Sequence, residues 1–577
     1  RLRDCASCSG VCVPMKAQIG YDRAVWDGIA WRERPWTMLP LKSGGPPTRG
    51  YNLHYHTTQW TIDPAVRAIA GSVGSHFTTT TDLQDLVFDL SDTLAVDSVV
   101  YHGAVLGTWT LATGDLLTIT LPTLLPAGST DSITIHYHGV PRTTGFGSFE
   151  QADHDGVPLI WTLSEPYGSR DWWPCKQDLN DKIDSIDVRV TVPDGNKAAG
   201  NGLLVSSISS GGWTTYHWRH RYPIDHYLIA TAVTNYLELV DQVILPDDTV
   251  LMLTYTFPED AFIAQLNAGD VLQQMPLFVE LFGAYPFADE KYGHAQMGWG
   301  GGMEHQTMTF LGGYWYELAA HELAHQWFGD KVTCGSWEDI WLNEGFATYL
   351  TGLCYEHLAP QYWHGWLGSK IENVTSEPDG SVFCTDTTSV GRIFSGRLTY
   401  NKGAMVLHML RWVCGDDAFY AGVRNYLDDP TLAYGTALTI DLQNHLENES
   451  GLDLDGFMAD WFIGEGFPTY TLIWTQDLAG NVSVELDQLT SHPSVNFFEM
   501  PVPIRFKNGA MDSTVVLEHT FSGQTFNFHL PFMADSALLD PDRWLVSRQN
   551  LVLRVPVAAF GDDHPMIYPN PVGGDHL

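Results

Sequence analysis

The sequence predicts an α+β multidomain chain: a long N-terminal β domain, a mainly helical middle domain and a small C-terminal β-sandwich. Two observations carry this: the hydrophobic period changes from alternating to helical after Tyr255, and it reverts near Gly464–Pro468. A third is length, since 577 residues exceed what one hydrophobic core organises.

From about Tyr51 to Val240, apolar and polar residues alternate between turn signals, as in Ser98-Val99-Val100-Tyr101-His102 and Ser132-Ile133-Thr134-Ile135-His136-Tyr137. That pattern predicts strands with one buried face and sets an N-terminal β domain at 51–245, after an extension at 1–50. Helical spacing follows in Ala261 to Tyr285, Tyr316 to Phe328, Trp337 to Leu353 and Lys402 to Val413, which sets a helical domain at 246–465. Strand-like runs such as Ser483-Val484-Glu485-Leu486 then return and set the β-sandwich at 466–560. Residues 561–577, rich in Pro, Gly and Asp, read as a linker.

The formal charge of −38, from 68 acidic against 30 basic side chains, repels a phosphate backbone and excludes nucleic acid as a partner. No run reaches the ~18 apolar residues of a membrane span. The chain opens at Arg1 without an apolar leader and reads as a mature or trimmed form. Cys5, Cys8 and Cys12 are three closely spaced thiols without a fourth metal ligand. Cys175, Cys334, Cys354, Cys384 and Cys414 lack ligand-like spacing and read as buried thiols or disulfides.

His321-Glu322-Leu323-Ala324-His325 lies in a helical stretch, where i to i+4 spacing puts both imidazoles on one face to grip a single ion. Gly329 is placed to end that helix, and Ser336-Trp337-Glu338-Asp339 has the capping-box form to start another, with Glu344 about two turns in. Two antiparallel helices joined so closely bring Glu344 beside His321 and His325, the His, His, Glu set of a thermolysin-type catalytic zinc, one Zn2+ per chain. Glu322 then sits beside the metal without occupying it, as a catalytic base must. Asp339 or Glu338 is a candidate to orient a ligating imidazole. His294, His305 and His408 read as packed side chains, not as a second metal site.

With the motif continued as Trp341-Leu342-Asn343-Glu344-Gly345-Phe346-Ala347, the chain resembles the gluzincin metallopeptidases, and within them the aminopeptidase N family, which includes leukotriene hydrolase. Gly301-Gly302-Met303-Glu304-His305 stands where that family carries Gly-x-Met-Glu-Asn, with His305 in place of Asn. The resemblance implies that Glu304 binds the substrate's free α-amino group, along the strand that holds Gly301, Gly302 and Met303. It implies a second amine-binding acid at Glu165, within Ser164 to Asp178, and an oxyanion-stabilising Tyr400 in Thr399-Tyr400-Asn401-Lys402-Gly403. It further implies a thermolysin-like catalytic domain, and a three-domain form without the helical C-terminal domain of larger members, hence a more open cleft tolerant of longer peptides.

The activity so implied is removal of N-terminal residues from peptides with a free N-terminus. Its rivals are a thermolysin-type endopeptidase, which has no use for paired amine-binding acids, and a noncatalytic zinc-stabilised secreted binding protein, against which Glu322 and Tyr400 argue. Nothing supports the lipid tunnel that epoxide hydrolysis requires. Ile567-Tyr568-Pro569-Asn570-Pro571-Val572 resembles the opening of a type IX secretion sorting domain, which predicts a secreted or cell-surface location. The preferred N-terminal residue and the oligomeric state are not written in the sequence.

Overall fold

In a computed structural model, which describes residues 22–26, 31–35 and 48–556, the period changes translate into sheets, helices and sheets in that order. The segments holding Cys5, Cys8, Cys12 and Ile567 to Val572 lie outside the described residues.

The N-terminal region is built on an eight-stranded sheet flanked by a three-stranded and a four-stranded one. At the centre of the large sheet, Tyr51–Thr61 pairs antiparallel with Ile69–Thr79 and parallel with Ser185–Pro193. Alternation along Tyr51–Thr61 buries Tyr51, Leu53 and Trp60 on one face. Trp60 meets Trp172 edge-on at 4.8 Å, and Trp173 completes the cluster. Burying one such ring contributes roughly 2–3 kcal/mol, so this aromatic core anchors the segment that follows Leu163.

In the four-stranded sheet, strands Ser148–His154 and Val157–Leu163 form a hairpin through Asp155-Gly156, both at positive φ, the turn chemistry a two-residue hairpin requires. Its second strand runs directly into Ser164 and Glu165. Trp172 Nε1 donates to Ser164 Oγ at 2.9 Å and ties that strand end to the aromatic core.

Strands Leu237–Ile244 and Thr249–Thr256 begin a second, mixed sheet that belongs with the helices. Helix α1 (Ala261–Phe282) is the crossover that returns the chain to Tyr292–Gln296, parallel to Thr249–Thr256. Thr309–Leu311 pairs next, and the short strand Gly302–Met303 pairs antiparallel with it at the sheet's edge. Helices α2 (Tyr316–Ala324), α3 (Trp341–Leu358) and α4 (Pro360–Val374) pack beyond that edge. The sheet therefore offers an unpaired strand edge beside α2.

The C-terminal region has a four-stranded sheet around Pro468–Gln476 and a three-stranded one around Met500–Asn508. Trp474 and Phe528 of the first sheet meet Phe506 of the second at 5.3 and 5.6 Å, so the two sheets face each other across an aromatic core. No described helix is long and apolar enough to cross a membrane.

Candidate active site

Helix α2 carries His321 and Glu322 and is shorter than its hydrophobic period predicts. It ends at Ala324, with His325 as its C-cap residue. Gly329, at φ +136°, turns the chain, and a Cβ there would stand 3.2 Å from His325 Nδ1. Ser336 caps the next segment through Glu338 N at 3.2 Å, but Trp337–Asp339 winds as a separate 3-10 turn. Glu344 thus lies in the first turn of α3, not two turns in, where the helix N-terminus favours its negative charge.

This geometry brings three ligand atoms together. His321 Nε2 and His325 Nε2 are 3.1 Å apart and lie 3.1 and 3.3 Å from Glu344 Oε2. Tetrahedral ligands about 2.0–2.1 Å from a zinc ion are spaced about 3.3–3.4 Å from one another, so the triad fits zinc to within a few tenths of an ångström. His325 Nδ1 donates to the Phe328 carbonyl at 2.9 Å, leaving Nε2 to face the ion. The expectation that Asp339 or Glu338 orients an imidazole is therefore corrected for His325. Asp339 accepts instead from Thr439 N and Oγ1, at 3.2 and 2.5 Å, and ties the turn before α3 to the start of the helix Thr439–Ser450.

Glu322 and Glu304 each bring a carboxylate oxygen within 4.8 Å of a His325 nitrogen. Gly302 lies directly against Glu322: a Cβ there would stand 2.2 Å from Oε1, so only glycine leaves the carboxylate room. Gly301 accepts from Gly312 N at 2.8 Å, and Met303 is buried. Burial raises the Glu322 and Glu304 carboxyls, against the opposing pull of His325, while the two imidazoles hold Glu344 well below the usual range.

Glu165 arrives from the N-terminal region and is 4% exposed, beside Glu304 at 3%. Burial first, then the charge of Glu304, push its carboxyl well up. Glu165 Oε1, Glu304 Oε1 and Glu322 Oε2 are all buried without a hydrogen-bond partner among the described residues. Tyr400 sits in a π-helical turn, Gly396–Lys402, a geometry frequent at functional sites. Its ring stacks on His321 at 5.7 Å and 14°, and burial together with Glu344 raises its hydroxyl.

His305 is fully buried against Phe310, and neither ring nitrogen has a hydrogen-bond partner among the described residues. Burial pushes it down to about 3, so it packs as a neutral side chain. One positioning residue carried no sequence signal of its own. Gln326 accepts from Thr307 N at 2.9 Å and donates to the Glu304 carbonyl at 3.2 Å, locking the acid-bearing strand to the zinc helix. A cavity of about 590 Å³ opens from His321, Glu322 and Tyr400 and is walled by Trp299, Trp315 and Trp366. The five described cysteines are all unpaired.

Two imidazoles and a carboxylate spaced for one ion, with a further carboxylate beside them, define a zinc metallopeptidase site of the gluzincin type, with one zinc. The profile of the Peptidase family M1 domain matches residues 314–461. A leucyl aminopeptidase of Saccharolobus solfataricus is 28% identical over 347 residues, covering 56% of this chain and 43% of the relative. Aminopeptidase N of Oryctolagus cuniculus is 31% identical over 225 residues, covering 35% of this chain and 23% of the relative. Among solved structures, an M1 zinc metallopeptidase mutant of Deinococcus radiodurans bound to Tyr-Ser-Ala superposes with a TM-score of 0.64 at 26% identity. It covers 73% of this chain and 95% of its own. The match to the M1 peptidase domain covers the segment that holds the metal triad, and the chain spans less than half the length of the archaeal relatives it matches.

Proposed function

We propose that the protein is a zinc aminopeptidase that removes residues from the amino end of peptides. The observation that carries this reading is the pair of buried, unpartnered carboxylate oxygens on Glu165 and Glu304, next to the metal triad. A buried carboxylate without a partner is costly. The α-ammonium group of a peptide compensates two at once, and their position beside the metal fixes the register at the first peptide bond.

The substrate backbone then extends along the edge strand Gly302–Met303 as an added strand. His321, His325 and Glu344 would hold the zinc ion, which when bound would supply Lewis acidity for the scissile carbonyl and for a water nucleophile near neutral pH. Glu322 takes the proton of the attacking water and passes it to the departing amine, a two-way role that a carboxylate beside the metal ligands, but not among them, can perform. Tyr400 donates its hydroxyl hydrogen to the developing oxyanion. Export, which the tail segment at Ile567 to Val572 suggests, is part of the proposal and is tested by locating the full chain in culture fractions.

The test of the activity is hydrolysis of one peptide with a free and with an acetylated amino terminus by zinc-loaded protein. Cleavage should be confined to the free form and should release the first residue. Comparable internal cleavage of both forms would mark an endopeptidase.

A further inference from the structure

The mechanism leaves two charged side chains in the cleft unused, Lys370 and the exposed Glu317, and Lys370 is the one that lies partly buried. Lys370 lines the cavity that opens from His321, Glu322 and Tyr400, and neither Glu165 nor Glu304 lines it. With the substrate's ammonium held by those acids, this cavity receives the part of the peptide beyond the scissile bond. Lys370 follows Trp366 by one helical turn on α4, and its Nζ stands 5.2 Å from the centre of that indole ring. Trp366 is in turn wedged against α3, where a Cβ on Gly352 would stand 2.5 Å from its ring. Asn401 Nδ2, one residue past Tyr400, donates to Asn373 Oδ1 of α4 at 2.7 Å, so the lysine helix and the tyrosine turn are held together.

Among the described residues no carboxylate stands within ion-pair distance of Lys370. The acid whose field it feels, Glu317, is exposed and accepts from the Tyr355 hydroxyl at 2.7 Å. A half-buried ammonium lacking an ion-pair partner, in a chain of net charge −38, is an unusual thing to aim into a substrate cavity. Burial lowers its proton affinity somewhat, as an arriving anion would reverse.

We propose that Lys370 is a specificity-determining residue on the leaving side of the cleft, where it pairs with a carboxylate on the departing portion of the substrate. That carboxylate is either the C-terminal group of a dipeptide or an acidic side chain next to the scissile bond. The inference rests on the aminopeptidase reading above. With acids at the amino end and a lysine beyond the metal, the cleft matches the charge pattern of a short zwitterionic peptide.

Zinc-loaded full chain is assayed on Leu-Ala against Leu-Ala amide, and on Leu-Asp amide against Leu-Asn amide. A preference in kcat/KM of about five- to tenfold, from a partly desolvated charge pair, is expected in the first comparison if the terminus is recognised and in the second if the side chain is. The ratio should fall to near one in Lys370→Met, persist in Lys370→Arg and invert in Lys370→Glu. In the wild type it should shrink as salt is raised, a readout that needs no variant. Ratios near one in both comparisons, or a preference that survives Lys370→Met or ignores salt, would overturn the proposal while leaving the aminopeptidase reading intact. Failure to cleave any free-amine peptide would overturn both.

Discussion

Two sets of buried acids meet in this cleft, and they are compensated in different ways. Glu344 lies 3.1 and 3.3 Å from two imidazole nitrogens and is held ionised. Glu165 and Glu304, equally buried, each keep a carboxylate oxygen without a partner, and their mutual proximity adds to the cost of ionising both. The first set is complete once an ion arrives. Under the proposed aminopeptidase reading the second is completed by the substrate's ammonium, so its cost in the free protein would become discrimination in the complex.

Glu322 stands between the sets and belongs to neither, which makes it the sharpest test of the division. Glu322→Gln should retain one zinc per chain, measured by metal analysis, and lower kcat by about 10³-fold or more. Zinc loss in this variant would place Glu322 among the ligands, and an unchanged rate would remove it from the reaction. Gly302→Ala probes the same carboxylate from the other side. The added methyl must displace Glu322 Oε1, whereas the metal triad is untouched, so kcat should fall by up to about 10²-fold with zinc content and melting temperature nearly unchanged. A fully active Gly302→Ala enzyme would mean that Glu322 tolerates displacement.

The second set is broken by Glu304→Gln, which keeps the shape and removes the charge. Losing one charged hydrogen bond to the ammonium should lower kcat/KM on free-amine peptides by about 30-fold, and should narrow the gap between free and acetylated substrates. Equal losses on both substrates would assign Glu304 to the scaffold.

How much of this was legible in the sequence follows from how locally each feature is encoded. His321 and His325 are a helical turn apart, and Glu344 is one connection away, so spacing alone brought them together. The strand that carries Glu304 was legible by resemblance, but its placement depends on Gln326, whose two hydrogen bonds span from the end of the zinc helix to a turn and a strand. Asp339 looked like a second-layer acid because it is near in sequence, yet tertiary structure turned it toward Thr439 and gave the His325 contact to a backbone carbonyl, which no residue type announces. Lys370 was invisible for the same reason, since only the packing of α4 against the tyrosine turn puts it in the cleft. The helix bounds slipped where short turns intervene: Gly329 does end the motif's segment, but the regular helix closes at Ala324 and turns carry the chain from His325 to Gly329.

Two buried histidines show the same contrast, with the smallest expected effect. His325 is surrounded by acids that, against the effect of burial, raise its proton affinity. His408 is buried instead in an aromatic setting, stacked on Trp544 of the C-terminal region at 4.5 Å with Tyr349 Oη 3.2 Å from its Nδ1. Burial, aided by Arg411 against the weaker pull of Asp416, pushes it down to about 3. In the unfolded chain this imidazole ionises near 6.5. Between those values the unfolded state binds the proton and the folded state does not, so stability is full above about pH 6.5 and falls as pH drops toward 3. Each such group adds at most about 1.4 kcal/mol per pH unit to the slope, and His294, also held down to about 3 by burial, acts in the same direction. Urea titrations of zinc-loaded protein between pH 7 and 5 should show this loss, and His408→Phe should flatten it. A slope that His408→Phe leaves unchanged would mean that the junction between the catalytic helices and the C-terminal sheets opens enough to let His408 take up its proton while the chain remains folded.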